Sequence, residues 1–335
     1  MADIDVALIG AGLIARIHLE AWKAVGARVR VYSTDGRSPA LAAEFGATAA
    51  DCLEEAITGA AVVDVCTPTE THRDITFAAV EAGAHVVCEK PLAYSTTEAE
   101  EMADAAEAAG VSLYPCHQLR FLPHFSRLRD TVVGGGVGRG TIARFAHIAH
   151  HPRAFDYTAP AGSGGILTDP MIHGVDLARW VFGDVTRVHA RYRGHFSAPA
   201  PEGAVATGTA VLTHAEGAIT ELVAVWAGPP TPPGVTFCVS GSRGTVECDP
   251  VSHPDLRVMA GAADDIPPFF RELYFLTEIR EFAEACAGGP EPRVSARDGV
   301  EAVRLVEAAA ESARTGRAVE IVPKPADATV EGVCR

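Results

Sequence analysis

"DVALIGAGLIA", residues 5–15, decides the fold. An apolar run of strand character turns over two glycines into an amphipathic segment, "LIARIHLEAWKAV" (13–25). The turn reads G-x-G-x-x-A. Gly10 permits a tight turn, Gly12 lets backbone approach a pyrophosphate, and Ala15 lets a helix lie close on its strand. The amides of Leu13, Ile14 and Ala15 then open a helix, where an anion is stabilised. Such a motif carries information only between a strand and a helix, and that context is present here.

Working outward, the alternation continues to about residue 117. "ARVRVYS" (27–33), "AVVDVCTP" (61–68), "AHVVCE" (84–89) and "VSLYPC" (111–116) read as strands. "PALAAEF" (39–45), "ETHRDITFAAVEAG" (70–83) and "STTEAEEMADAAEAAG" (95–110) read as helices. Ser95 and Glu98 have capping-box spacing. Repeated strand–helix–strand units pair in parallel through right-handed crossovers. Residues 1–118 are therefore expected to form a doubly wound Rossmann domain in an α/β protein.

The rhythm then changes. After a helix at 121–132, segments 141–150, 185–194, 206–214, 218–227, 235–241 and 244–249 alternate, with one helix near 171–182 among them. They predict an antiparallel or mixed sheet in a second domain, 119–322. Helices at 270–288 and 296–316 close the chain, with packing back on the first domain as an option. The aperiodic residues 323–335 are expected to form a flexible tail.

Composition narrows the function. The 335 residues are 48% hydrophobic and 21% charged, with a formal net charge of −15. Phosphate backbones repel such a surface, so no nucleic-acid partner is expected. No run approaches the roughly 20 apolar residues of a membrane helix. "MADIDVALIG" lacks the basic start of a secretory signal, which predicts a cytoplasmic protein. The eight cysteines contain no C-x-x-C pair, so they read as reduced and small. "HIAHH" (147–151) has no acid or thiol at ligand spacing, and no metal site is expected.

An NAD enzyme places Asp or Glu near the end of its second strand, for the ribose hydroxyls. Here "VYSTDGR" offers Ser33 and Thr34, with Asp35 next and Arg37 beyond. Small hydroxyls and an arginine suit a 2′-phosphate, so NADP is narrowly favoured over NAD. Ligands of open parallel sheets sit beyond the carboxyl ends of the strands. "CTPTETH" (66–72) and "CEKPLAYS" (88–95) stand at two such ends. Lys90 would meet substrate there and polarise an oxygen. Alone, Glu89–Lys90 is equally an ordinary solvated pair.

A second stretch, "SGGILTDPMIHGVDLARWVFGD" (163–184), spaces Asp169 and His173 by four, on one helix face. His173 could exchange a proton with a hydroxyl. Asp169 before Pro170 also has the form of a helix N-cap. His117 and Arg120, after the strand end at 116, are candidates for substrate contact.

"EKPLA" (89–93), Thr67–Pro68 with His72 after it, "RFLP" (120–123) and "GG-x3-D-x3-H-x2-D" (164–176) together resemble the Gfo/Idh/MocA family, the glucose–fructose oxidoreductase and inositol dehydrogenase group. The resemblance spans residues 3–322. It implies a second domain with a large, mostly antiparallel open sheet, NAD or NADP, and a sugar, cyclitol or related polyol as substrate. It implies a homodimer or homotetramer formed through the open sheet face. By position it assigns Lys90, Asp169 and His173 to catalysis, and Gly10, Gly12, Ala15, Thr67, Pro68 and Glu89 to the cofactor side. His173 would take the proton of a secondary hydroxyl as hydride leaves its carbon, with Lys90 stabilising the oxygen. Two other outcomes use the same scaffold: a redox-neutral, NAD-dependent glycoside-cleaving enzyme, and a non-catalytic cofactor-binding sensor.

Overall fold

A computed structural model of the chain describes residues 4–150, 165–194, 206–227, 233–248 and 268–322. The first half alternates β1 (Asp5–Ile9), α1 (Leu13–Ala24), β2 (Arg28–Tyr32), α2 (Ser38–Phe45), β3 (Thr48–Ala49), α3 (Leu53–Ile57), β4 (Val62–Val65), α4 (His72–Glu81), β5 (His85–Cys88), α5 (Thr96–Ala109) and β6 (Leu113–Pro115). The valine-rich strands form one parallel sheet in the order β3-β2-β1-β4-β5-β6. That order places the topological switch between β1 and β4, where a dinucleotide binds in this architecture. Ser95 caps α5 by accepting the Glu98 amide.

The second half contains α6 (Pro123–Val133), β7 (Gly140–His150), α7 (Met171–Phe182), β8 (Val185–Arg193), β9 (Ala206–His214), β10 (Ile219–Ala227), β11 (Gly234–Gly241), β12 (Gly244–Cys248), α8 (Pro268–Cys286), α9 (Ala296–Thr315) and β13 (Val319–Glu320). Its seven strands run β12-β11-β7-β10-β9-β8-β13. Only β7 and β10 pair in parallel; the rest are antiparallel. One face carries Phe145, Ala190, Leu212, Leu222 and Phe237 into a core under α7 and α9. The other face leaves Ile142, Val211 and Ile219 exposed. Period-2 alternation explains both faces.

The two C-terminal helices complete the first sheet. Ile279, Phe282 and Val294 join the core on its α1 face, and Val300 and Val303 join the core on its α4–α5 face. Helix α9 also reaches β8 of the second sheet. The short β3, α3 and β13 are absent from the sequence reading, because two to five residues carry too little periodicity to register. His151, most of the proline loop at 229–234 and the 323–335 tail lie outside the described residues.

Candidate active site

The cofactor end is built from backbone. Gly10 has φ +120°, and a Cβ there would lie 2.4 Å from the Cys66 carbonyl oxygen. Only glycine lets the β1 end cross the β4 end this closely. Gly12 is the opposite case: a Cβ there would meet nothing within 4 Å. Helix α1 starts at Leu13 without a side-chain cap or an acid in its first turn. The amides of Leu13, Ile14 and Ala15 thus lie at the positive end of a helix dipole, beside open space at Gly12. These residues fit a dinucleotide pyrophosphate.

At the β2 end, Asp35 organises its neighbours. The Ser33 hydroxyl donates to it at 2.9 Å and Arg37 Nε at 2.7 Å. The Arg37 guanidinium holds the Asp35 pKa down to about 2. Thr34 is exposed between them. Arg37 is therefore engaged by a carboxylate, whereas the sequence reading weighed it as a partner for phosphate.

Beyond β4, the Thr71 hydroxyl donates to Thr67 Oγ1 at 2.7 Å, next to Pro68. His72 is 1% exposed. Its ring lies between the Thr67 carbonyl, 2.9 Å from Nε2, and the Pro91 carbonyl, 3.0 Å from Nδ1. Burial lowers its pKa, and a neutral ring donates to one carbonyl at a time. His72 thus braces the two strand-end loops against each other.

The centre joins both halves of the chain. Lys90, two residues past β5, donates from Nζ to Asp169 Oδ1 at 2.8 Å. Their side chains are 14% and 26% exposed, so the pair keeps an open side. Asp169 does not cap α7. The helix begins at Met171 after Pro170, which already has helical φ and ψ. The Thr168 and Asp169 amides instead share the Gly165 carbonyl, and this turn frees the carboxylate for Lys90.

His173 sits in the first turn of α7, with Nδ1 buried and unpartnered. Burial, then the charges of Lys90, His147 and His117, hold its pKa well below the usual imidazole value. It is a neutral base beside a cation. His147, on β7, has its ring centroid 5.6 Å from that of His173 and its Nδ1 3.2 Å from the Pro170 carbonyl. A Cβ on Gly174 would lie 2.3 Å from the Phe145 ring, so α7 rests directly on β7 and the two histidines become neighbours. The sequence reading considered His147 only for metal; its inward register on β7 was the signal for this position.

The remaining candidates divide. His117 is buried, with Nδ1 3.8 Å from Asp176, and burial lowers its pKa. Its charge acts on His173 and lowers that pKa further. Arg120 is 1% exposed. It donates to Asp176 at 2.6 and 2.9 Å, and through Nη1 to the Arg293 carbonyl and to Asp298. Each of its three guanidinium nitrogens donates to protein. The expectation of substrate contact by Arg120 is corrected accordingly: Asp176, three residues past His173, claims it.

Sequence profiles of the oxidoreductase family match both halves: the NAD-binding Rossmann fold over residues 4–117, and the C-terminal alpha/beta domain over residues 150–321. The chain is 32% identical to the 1,5-anhydro-D-fructose reductase of Ensifer adhaerens, over 94% of this chain and 97% of that protein. It is 31% identical to the myo-inositol dehydrogenase Hyg17 of Streptomyces leeuwenhoekii, over 96% of this chain and 100% of that one. Among solved structures, GenD2 from gentamicin A biosynthesis, crystallised with NAD, superposes with a TM-score of 0.86 at 28% identity, covering 96% of this chain and 97% of its own.

Proposed function

The chain belongs to the Gfo/Idh/MocA family of oxidoreductases, and from that premise we propose that it interconverts a secondary hydroxyl and a ketone on a cyclitol, sugar or anhydrosugar. The observation that carries this reading is a charged Lys90–Asp169 pair beside a neutral, buried His173. The bound nicotinamide supplies the hydride acceptor or donor at its C4. His173 takes the hydroxyl proton in oxidation and returns it in reduction. Lys90 stabilises the oxygen as charge develops on it. Asp169 holds the ammonium in place. Relatives acting on anhydrofructose and myo-inositol support a polyol substrate.

NAD is the preferred cofactor. The Asp35 carboxylate suits a ribose 2′-hydroxyl and repels a 2′-phosphate, and it already occupies Arg37. The outer face of the seven-stranded sheet, with Ile142 opposite Ile219, is the surface for a homodimer or homotetramer. A monomeric mass by light scattering at micromolar concentration would remove that assignment.

The direct test mixes the protein with NAD or NADP and a panel of myo-inositol, aldoses and 1,5-anhydrosugars, following reduced-nicotinamide absorbance. Turnover that falls by about 10²–10⁴ in Lys90→Ala is expected of an acid–base site. Equal turnover in that variant would refute the assignment. A higher kcat/KM with NADP would refute the reading of Asp35.

A further inference from the structure

A buried polar cluster lies under the ends of β4, β5 and β6, and the chemistry assigned above makes no use of it. Asp64 stands in the middle of β4, paired with Leu8 and Val87 and wholly buried. An unpaired carboxylate there would be strongly destabilising. Helix α1 answers it with two donors one turn apart. His18 Nδ1 lies 2.9 Å and Trp22 Nε1 2.7 Å from Asp64 Oδ2.

With Nδ1 turned to Asp64, the opposite nitrogen of His18 points at Glu89. The separation from Nε2 to Oε1 is 3.5 Å, and both atoms are buried without a closer partner. The other Glu89 oxygen accepts the backbone N–H of Lys90 at 3.0 Å. A continuous line of contacts thus runs from Asp64 through His18 and Glu89 to the peptide of Lys90.

We propose that His18, oriented by Asp64, is a positioning residue for Lys90: it steadies the Glu89 carboxylate, which fixes the Lys90 peptide and the direction in which its side chain enters the site. The inference rests on the reading of Lys90 given above. Burial opposes charge on His18, but Asp64 overrides it and holds the ring well above the usual imidazole pKa. The ring then has a proton for each carboxylate. Glu278 of α8 also borders the cluster, and burial pushes its carboxyl pKa well up, which disfavours a further charge there. His18, Glu89 and Cys116 also bring their ligand atoms within 4.8 Å of one another, near enough for a metal ion. Thiolate chemistry argues against one, since burial raises the pKa values of Cys66 and Cys116 and keeps both as thiols.

Two substitutions separate the two contacts of His18. Asn at this position places an amide near Nδ1 and keeps Asp64 satisfied while releasing Glu89. Gln reaches the Nε2 position and keeps Glu89. The expected result is that His18→Asn lowers kcat by about 10- to 100-fold, the range for a misplaced reacting group, with the KM for dinucleotide within about twofold. His18→Gln should retain more of kcat. Adding Glu89→Gln to His18→Asn should cost little more, because both break one line. Independently of substrate, Lys90 labelling by an amine-reactive reagent, normalised to the surface residue Lys23, should rise severalfold in His18→Asn. Unchanged kcat and labelling with only a lower melting temperature would overturn the proposal, as would a stoichiometric metal in the purified protein. If His18→Asn fails to fold, Glu89→Gln alone must show the same labelling change, or the proposal falls. Lys90→Ala run alongside keeps the two readings apart. Full activity there sinks the role of Lys90, whereas its loss with an active His18→Asn sinks only this inference.

Discussion

Replacing Arg120 with methionine should cost far more stability than an arginine usually does. The guanidinium donates to both Asp176 oxygens, and both side chains are 2% exposed. Methionine keeps most of the volume and removes every donor. Asp176 would then be a buried carboxylate beside His117, 3.8 Å away, whose ring burial holds toward the neutral form. Breaking one side of such a pair costs about 3–5 kcal/mol. Asp298 loses less, since Arg179 still donates to it at 2.6 Å. Each kcal/mol moves the midpoint of a larger domain by roughly 2–4 °C, so thermal unfolding of the whole chain should fall by about 6–20 °C. Adding Asp176→Asn removes the stranded charge and should recover part of that loss. A drop under about 2 °C, or a double variant less stable than the single, would refute the burial argument. A raised substrate KM at unchanged stability would instead restore Arg120 to the substrate.

Three further outcomes follow from the geometry. Gly10→Ala should disrupt folding, because its Cβ would collide with the Cys66 carbonyl at a positive φ, whereas Gly12→Ala should melt like the parent. By calorimetry Gly12→Ala should still bind NAD at least about tenfold more weakly, or some 1.4 kcal/mol; equal affinity would mean that no ligand approaches Gly12. The Lys90 charge lowers the His173 pKa, so the His173 ring titration followed by NMR should move to higher pH in Lys90→Met; no movement would separate the two groups. His72, His117, His147 and His173 all have folded pKa values below their unfolded ones. The unfolded chain therefore binds more protons below about pH 6.5, and stability should decline as pH falls from there toward the folded values. His18 has the opposite sign: its contribution is complete below about pH 6.5 and is lost as pH rises through its folded value. Urea midpoints at pH 7.5 and 5.5 test the sum, and an equal or higher midpoint at 5.5 would count against it.

Much of the fold is legible in the sequence because two periods differ so clearly. Valine-rich runs separated by amphipathic helices announce a parallel sheet, and the switch to period-2 alternation near residue 140 marks the second one. Local rules fail where a distant residue decides. Asp169–Pro170 has the form of a cap, yet Lys90, 79 positions away, takes the carboxylate, and the helix starts without it. Arg120 lies beside a strand end like a ligand-binding residue, but Asp176 and Asp298 claim it from two other helices. Asp64 is the visible anomaly, a lone acid inside "AVVDVCTP", and its partners on α1 cannot be read without knowing which helix face meets the strand.

Helices α8 and α9 complete both faces of the first sheet, although strands β7 to β12 of the second sheet precede them in the chain. A nascent chain emerging from the ribosome therefore cannot close its first core until those strands and both helices have been made. Domains generally fold as units, N-terminal first; here the opening Rossmann sheet must wait with one side of each layer unfinished. The same wiring lengthens the sequence separation of its contacts, which slows folding. It also ties the cofactor half and the substrate half into one cooperative unit. Damage in α8 or α9 should then be felt at the dinucleotide loop, through a core that neither half owns alone.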